Sequence, residues 1–253
     1  MKKFTFITLY LLLMTLTCMA QTGNLDAVRQ KIAEFNKKLP LTTDKNCTLE
    51  KIIIEDGYVV QYGTCISTFN EEGKTLLRTW GENYLEQAKN KNVRLMYQEY
   101  MKAGLGVKQI MKFKDTGKSE SFALTVSDIK RMLSFPADAS SLLLEEIRAA
   151  RESLPFAASV GIICSAYEFP KQDLIMRFDV DETYYSMETL QANISNTKQT
   201  FLSGIKAGTS ESIQMAKMCV NAGYGMGFIY VGKKSGKKAE LIMTYQELKA
   251  CFD

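Results

Sequence analysis

The chain has 253 residues, of which 46% are apolar and 24% are charged, a composition typical of globular proteins. Lys2 and Lys3 belong to the leader described below, so the rest of the chain has 30 basic and 28 acidic residues and a net charge of +2. So small an excess of positive charge argues against a nucleic-acid partner. The chain contains no histidine, which excludes Ser-His and Cys-His nucleophile pairs, histidine general bases and histidine metal sites.

The first twenty residues have the pattern of an export signal. Lys2-Lys3 precedes an almost wholly apolar run that ends at Leu16, and small residues stand three and one places before Gln21. This pattern predicts a cleaved signal peptide at residues 1–20, and hence a bacterial protein that is exported to the periplasm or cell envelope, or secreted. The apolar run is shorter than the ~20 residues of a membrane-spanning helix. Lipidation at Cys18 is an alternative, and membrane association is expected only in that case.

The rest of the chain contains an internal repeat. Residues 96–133 align with residues 215–252 at one constant offset of 119, without a gap. The matches fall on residues that shape the backbone, for example Gly104 on Gly223. Such a pattern is typical of a duplicated module.

The upstream part of the repeat aligns at a slightly different offset. Pro40 falls on Pro155 at an offset of 115, so a length difference of four residues lies between the two aligned regions. The sequence therefore predicts a tandem duplication with two units, residues 24–134 and residues 139–253.

Each unit shows the same order of predicted elements. An amphipathic helix comes first and is closed by Pro40 or Pro155. In the first unit a hairpin follows around the turn Glu55-Asp56-Gly57, and β-branched runs predict its counterpart in the second. Two helices come next, the second of which ends at a left-handed cap, Gly104 or Gly223.

Each unit ends in a second hairpin and a short helix. Apolar and polar residues alternate on both sides of a turn, at Gly117 in the first unit and at Gly236 in the second. Capping boxes predict helices that start after Thr125 and Thr244. The order per unit is therefore αββααββα. The sequence predicts an α+β fold in which each unit has a four-stranded, mainly antiparallel sheet packed against helices.

Cys47 and Cys65 flank the first hairpin. If Glu55-Asp56-Gly57 forms a three-residue loop, the two cysteines lie opposite each other and a cross-strand disulfide is predicted. A two-residue turn instead places them on opposite faces, and two buried thiols are the alternative. Their counterparts at the offset of 115 are Ile162 and Val180, an apolar pair, so this position faces the core in either case. The pairing of the other cysteines stays open: Cys164, Cys219 and Cys251.

Some segments resemble parts of catalytic motifs. Ser127-Asp128-Ile129-Lys130 and Ser195-Asn196-Thr197-Lys198 fit S-x-x-K, and Lys234-Ser235-Gly236 fits K-[ST]-G. Penicillin-binding enzymes combine such motifs, with a lysine that could deprotonate the serine. Here the segments are predicted on solvated helix faces and in a hairpin turn, where such short patterns occur freely.

Two further segments suggest ligands but have simpler explanations. Asp179, Asp181 and Glu182 could gather a hard cation, although they lack the glycine and the distal glutamate of a calcium loop. The glycines of Gly223–Gly227 could approach a phosphate. They leave a helix and enter a strand, however, whereas nucleotide fingerprints run from strand to helix. No metal and no cofactor are therefore predicted.

Three aromatic residues are weak candidates for a ligand groove. Trp80 lies on the apolar stripe of its predicted helix, which favours a place in the core. Tyr184 and Tyr185 follow the second unit's first hairpin, where the two units differ in length, and they could line a cleft or simply pack.

The leading hypothesis is an exported, non-catalytic binding or interaction protein. It rests on the duplication, on the missing histidine and on the lack of a convergent set of acid, base and nucleophile. The partner is expected to be a protein or a small molecule, and no motif specifies which. The rival hypotheses are a hydrolase based on Ser and Lys or on carboxylates, and a structural protein of the envelope.

Overall fold

The structure is a computed structural model that describes residues 25–42, 46–70, 73–210 and 212–253, without the side chains of residues 77, 79, 84 and 85. The predicted signal peptide and Cys18 lie outside the described residues. The chain divides into two compact units, Met1–Ala137 and Asp138–Asp253. Within the described ranges, every helix is too short or too polar to cross a lipid bilayer.

The described residues of the first unit form a five-stranded sheet and four helices. Its elements are α1 (Leu25–Asn36), β1 (Leu41–Thr42), β2 (Cys47–Glu55), β3 (Tyr58–Cys65), α2 (Leu76–Ala88), α3 (Lys91–Lys102), β4 (Gly106–Phe113), β5 (Ser119–Leu124) and α4 (Val126–Leu133). The strands follow the order β1-β2-β3-β4-β5. Strands β3 and β4 are parallel, and the other neighbouring pairs are antiparallel.

The second unit repeats this arrangement. Its elements are α5 (Ala137–Glu152), β6 (Phe156–Ser159), β7 (Ile162–Glu168), β8 (Asp173–Val180), α6 (Met187–Lys206), α7 (Ile213–Ala222), β9 (Gly225–Gly232), β10 (Lys238–Met243) and α8 (Tyr245–Lys249). The sheet order is β6-β7-β8-β9-β10, again with one parallel pair, β8 and β9. The α+β class and the mainly antiparallel pairing are therefore as predicted.

The prediction of four strands per sheet is wrong, because each sheet has a fifth strand at its edge. Strand β1 has two residues and β6 has four. Segments this short show no alternation of apolar and polar residues, so the sequence pattern did not indicate them. The observed order of elements is αβββααββα in both units, with the extra strand directly after the first helix.

The helices of the first unit bury one apolar stripe each against the sheet. In α1 this stripe is Val28, Ile32 and Phe35, at the spacing that places side chains on one face of a helix. Ile129 of α4 and Val93 of α3 enter the same core. Each fully buried side chain of this size contributes ~1.5–3 kcal/mol to stability, so the helix layer and the sheet hold each other in place.

The two sheets share the same strand registers. Cys65 pairs with Phe113 across the parallel strands of the first unit, and Val180 pairs with Gly232 in the second. The first members of these pairs are 115 residues apart and the second members are 119 apart, the two offsets of the sequence alignment. The element order and the registers agree with the predicted repeat, while the common descent of the units stays a prediction.

The turn of the first hairpin has two residues and not three. Glu55 pairs with Tyr58, and Asp56 and Gly57 between them have φ angles of 49° and 78°. Positive φ at both positions is the geometry of a type I′ turn, which suits the right-handed twist of the strands. The predicted three-residue loop is therefore wrong, and a regular ladder from this turn would put Cys47 and Cys65 on opposite faces.

A β-bulge at Glu50 restores the alignment of the cysteines. The register shifts by one residue between Leu49 and Lys51, and beyond the shift Cys47 pairs with Cys65. The two residues form a disulfide, with their Cα atoms 4.1 Å apart and both side chains buried. The predicted disulfide is thus present, although the bulge at Glu50, and not a three-residue loop, brings the two cysteines opposite each other.

The second unit has its bulge at the equivalent place. The register shifts there between Cys164 and Ala166, and Ser165 corresponds to Glu50 at the offset of 115. Beyond this bulge Ile162 pairs with Val180, as the alignment with the cysteine pair predicts. The fold therefore accommodates either a disulfide or two aliphatic side chains at this position.

We expect reduction of the disulfide to lower stability without changing the fold. The bond joins residues 18 apart in sequence, and for a loop of this size the chain-entropy model gives a contribution of about 3 kcal/mol. The measurement is the free energy of unfolding in denaturant, with and without reductant, together with far-ultraviolet circular dichroism.

The matched control is the double variant Cys47→Ile, Cys65→Val, which carries the apolar pair of the second unit. It should fold, and reductant should leave its free energy of unfolding unchanged. An equal effect of reductant on both proteins would contradict the prediction, because the effect would then not come from this bond.

Candidate binding surfaces of the second unit

The two S-x-x-K segments lie on helix surfaces. Ser127 and Lys130 are exposed on α4, and Ser195 is exposed on α6. Nζ of Lys198 lies 2.6 Å from Oε1 of Glu247 and forms an ion pair with it. The hydrogen bond from Lys198 is the main cause of a lowered pKa at Glu247. Lys198 is thus engaged with the Glu247 carboxylate, and an ion-paired ammonium group is not available as a general base.

The Lys234-Ser235-Gly236 segment lies in the turn between β9 and β10. Oε2 of Glu182 accepts hydrogen bonds from the backbone N–H groups of Lys234 and Ser235, at 2.7 and 2.8 Å. These contacts lower the pKa of Glu182, and the hydrogen bond from the Ser235 side chain has the largest effect. The segment is therefore part of a clamp that ties this turn to the chain after β8.

The three carboxylates near the end of β8 do not converge on one point. Oδ1 of Asp179 lies 3.5 Å from Nε of Arg177. Asp181 accepts hydrogen bonds from the backbone N–H and the hydroxyl of Thr183, and Glu182 holds the turn. In the part of the chain that the structure describes, no group of three or more His, Cys, Asp or Glu side chains could hold a metal ion.

The first unit has an equivalent clamp, but its carboxylate lies in the turn and not in the linker. Oδ2 of Asp115, in the turn after β4, accepts hydrogen bonds from the backbone N–H and the hydroxyl of Thr68, at 2.9 and 3.0 Å. The backbone bond from Thr68 is the main cause of a lowered pKa at Asp115. Both units therefore use a carboxylate to join the same linker to the same turn, which indicates a structural role.

The glycine-rich segment after α7 is explained by packing. Gly223 has a φ of 79° and is the left-handed cap of α7, as predicted. Gly225 lies in β9 so close to a neighbouring strand that a Cβ atom there would be 2.1 Å from Oδ1 of Asp173. These glycines serve a helix end and a close strand contact, and the geometry does not support a phosphate loop.

Trp80 lies in the core of the first unit. Its side chain is 3% exposed and packs edge-on against Phe122, with the ring centroids 5.4 Å apart. A side chain this deeply buried offers no surface to a ligand. Trp80 therefore contributes to core packing, and its side chain does not line a surface groove.

Tyr184 and Tyr185 lie next to the turn between β6 and β7. Tyr184 is 63% exposed and covers Gly161, where a Cβ atom would be 2.7 Å from the tyrosine ring. The Tyr185 hydroxyl is 3.4 Å from the hydroxyl of Ser159, and its ring packs against the core around Val180. Tyr184 is thus a surface residue, whereas Tyr185 anchors the linker.

The surface beside Tyr184 is an uncharged strand edge. All residues of β6 are exposed, and Val160, directly after it, is 69% exposed. We call β6 together with Val160 and Tyr184 the β6 edge surface. The segment Phe156-Ala157-Ala158-Ser159-Val160 corresponds to Leu41-Thr42-Thr43-Asp44-Lys45 at the offset of 115. The sequence of the second unit therefore lacks the two charged residues that the aligned segment of the first unit contains.

A cleft of about 560 Å³ lies between the last turn of α6, helix α7 and the end of α8. Its lining includes Ile213 and Phe252, the ammonium-bearing Lys206 and Lys217, and the thiol of Cys251. This cleft was not predicted from the sequence. Two differences between the units could have indicated it, namely Ile213 in place of Arg94 and Lys217 in place of Gln98.

Among the residues that the structure describes, the other three cysteines are unpaired thiols. Cys164 and Cys219 are fully buried, and burial raises the pKa of Cys164 to about 11 and that of Cys219 further. Cys251 is partly exposed, and its Sγ is 3.4 Å from the carbonyl oxygen of Glu247. Cys251 is therefore the most accessible thiol of the three.

Comparison with known proteins identifies no relative. No protein-family model matches the chain, and no curated protein matches it. One solved structure, a "putative secreted protein" from Pseudomonas aeruginosa, has 12% sequence identity to this chain and a TM-score of 0.35. The match covers 44% of this chain and 93% of that chain. A similarity of this size supports no conclusion about fold or function.

An ion pair between Glu188 and Lys237 gives a testable pH dependence. The hydrogen bond from Lys237 is the main cause that lowers the pKa of Glu188 from 4.5 to about 2. A carboxylate with a lowered pKa stabilises the folded state above about pH 4.5, and this contribution is lost as the pH falls through about 2. Glu188→Gln should therefore lower the melting temperature at about pH 6 and leave it close to the wild-type value at about pH 2.

Thermal unfolding between these pH values checks this prediction. The control is Glu145→Gln, which neutralises an exposed carboxylate on α5. A difference between wild type and Glu188→Gln that stayed constant over the whole pH range would show that the ion pair does not couple protonation to stability.

Proposed function

We propose that the protein is an exported, non-catalytic binding protein whose second unit binds an extended segment of a partner protein through the β6 edge surface. The observation that carries this proposal is that β6 is an edge strand without any charged side chain and with all four residues exposed. Addition of a strand to such an edge is a common way to bind a peptide.

The backbone of an edge strand provides the binding groups. One row of its N–H and C=O groups points away from the sheet and can pair with another chain. In β6 the small side chains of Ala157, Ala158 and Ser159 permit close approach of a second backbone. Natural proteins usually protect such edges with charged residues, and at the offset of 115 the sequence of the first unit has Asp44 and Lys45 where the second unit has Ser159 and Val160.

Apolar side chains next to the edge add contact area. Val160 and Tyr184 are largely exposed, and burying them under a partner would remove apolar surface from water. Tyrosine is also among the residues that are enriched in protein interfaces, because its ring packs while its hydroxyl stays hydrogen-bonded. The proposed partner is therefore an uncharged, extended segment with apolar side chains.

Export is supported by the Cys47–Cys65 disulfide. Disulfides that hold a small fold together form and persist outside the cytosol. The predicted signal peptide at residues 1–20 suggests the same route. A non-catalytic role is supported by the contacts of the candidate catalytic groups, since Lys198 and Glu182 are both engaged in structural contacts.

Intact mass of protein isolated from the native envelope tests export. The expected mass corresponds to a chain that starts at Gln21 and contains the Cys47–Cys65 bond, with three thiols that react only after denaturation or slowly. Acyl chains on Cys18 would change the proposal to a lipid-anchored protein. A chain that retains residues 1–20 and carries reduced Cys47 and Cys65 would contradict export.

Site-specific photo-crosslinking tests the partner proposal. A photoreactive amino acid is placed at Ala158, in β6, and in a separate variant at Leu142, which is an exposed apolar residue of α5. We expect an adduct with one protein in the native envelope from position 158 and not from position 142. The reason is that a strand added to β6 brings the partner backbone within ~5 Å of the edge.

The control for this experiment introduces into the β6 edge surface the two charged residues of the aligned first-unit sequence. The changes Ser159→Asp and Val160→Lys, combined with the probe at position 158, should abolish the adduct because a charged edge resists strand addition. An adduct that persists in this variant would contradict the proposal. An adduct between two copies of this chain would also contradict it, because the occupant would then be a second copy.

A further inference from the structure

The cleft beside α7 has an apolar floor and a cationic rim. Ile205, Ile213 and Phe252 contribute apolar surface, and Lys206 and Lys217 are exposed at the rim. Nζ of Lys217 lies 5.9 Å from the centroid of the Phe252 ring. No acidic side chain of the described residues lines the cleft. Its volume of about 560 Å³ lies within the usual range for small-molecule sites.

The equivalent place in the first unit is bridged by an arginine. The guanidinium of Arg94 donates hydrogen bonds to the carbonyl oxygens of Ala88, Leu133 and Phe135, at 3.2, 2.9 and 2.8 Å. It thereby connects the end of α2 with the end of α4. Arg94 corresponds to Ile213 at the offset of 119, and isoleucine cannot make these bonds.

A residue that Arg94 contacts has its counterpart in the lining of the cleft. Leu133 corresponds to Phe252 at the same offset, and Phe252 lines the cleft. Lys217 stands where the first unit has the neutral Gln98. In the second unit, therefore, an isoleucine stands at the position of the bridging arginine, and a lysine at the rim replaces a neutral glutamine.

We propose that this cleft binds a small amphiphilic anion, with the apolar body of the ligand on Ile213 and Phe252 and its anionic group between Lys206 and Lys217. An alkyl carboxylate is the simplest molecule of this class. The charge of the rim selects an anion, because no carboxylate of the described lining competes for the two ammonium groups. The apolar floor selects a ligand whose tail leaves water. This site is separate from the β6 edge surface, so either proposal can fail without the other.

Protection of Cys251 provides a direct assay, because this partly exposed thiol lines the cleft. The probe is decanoate below its micelle concentration, and the measurement is the rate at which iodoacetamide alkylates Cys251, read from the mass of its peptide. Decanoate should slow alkylation in a saturable way, and the neutral decanol should do so much less. The ratio of rates with and without decanoate cancels any change in the intrinsic reactivity of the thiol.

Variants test each half of the proposal. Lys206→Gln with Lys217→Gln should weaken the apparent affinity for decanoate about five- to tenfold, whereas Lys249→Gln, outside the lining, should leave it unchanged. Ile213→Arg introduces the arginine of the first unit and should abolish protection. Its matched control is Gln214→Arg, which adds the same charge at an exposed neighbouring position.

Several outcomes would overturn the proposal. Equal protection by decanoate and decanol would remove the anionic part. Undiminished protection in Ile213→Arg would show that the ligand does not enter the cleft. Protection by anionic lipid vesicles without protection by monomeric decanoate would identify a membrane surface, and not a free amphiphile, as the ligand.

Discussion

The parallel pairing at the centre of each sheet determines how each unit is built. In both sheets this pair joins two antiparallel halves, β3 with β4 and β8 with β9. Parallel neighbours cannot be connected by a tight turn and need a long crossover, usually helical. The two helices between these strands provide that crossover and cover one face of the sheet. Because parallel strands end at the same edge, the linker after β3 lies beside the turn after β4, where Asp115 holds Thr68.

The two units share their strand order and strand registers, and they differ at positions on which the registers do not depend. Three such positions illustrate this. The disulfide of the first unit corresponds to an aliphatic pair in the second, its bridging arginine corresponds to an isoleucine, and a charged segment of its sequence aligns with the uncharged β6 edge surface. None of these changes alters a strand register. Two units with the same strand order can therefore carry different surfaces, and in this protein both surfaces that we propose for binding lie in the second unit. The aligned residues of the first unit supply matched controls for each.

Much of the fold follows from local patterns in the sequence. The two hairpins of each unit and the left-handed cap at Gly223 could be predicted because each depends on a few adjacent residues. The capping boxes at Thr125 and Thr244 are both present for the same reason. Of the three aromatic groove candidates, Tyr184 lies largely exposed on the surface. Trp80 enters the core, because its side chain lies on the apolar stripe of its helix.

The sequence by itself determined the helices and the two hairpins of each unit, since helix caps, turn glycines and apolar periodicity act over a few residues. Only the tertiary structure decided the fifth strand, the bulge at Glu50 that aligns the cysteines, and the cleft beside Ile213. Each of these depends on contacts between segments that are distant in sequence. A bulge, for instance, is defined by its partner strand, because the same residue in an isolated strand has no register to shift.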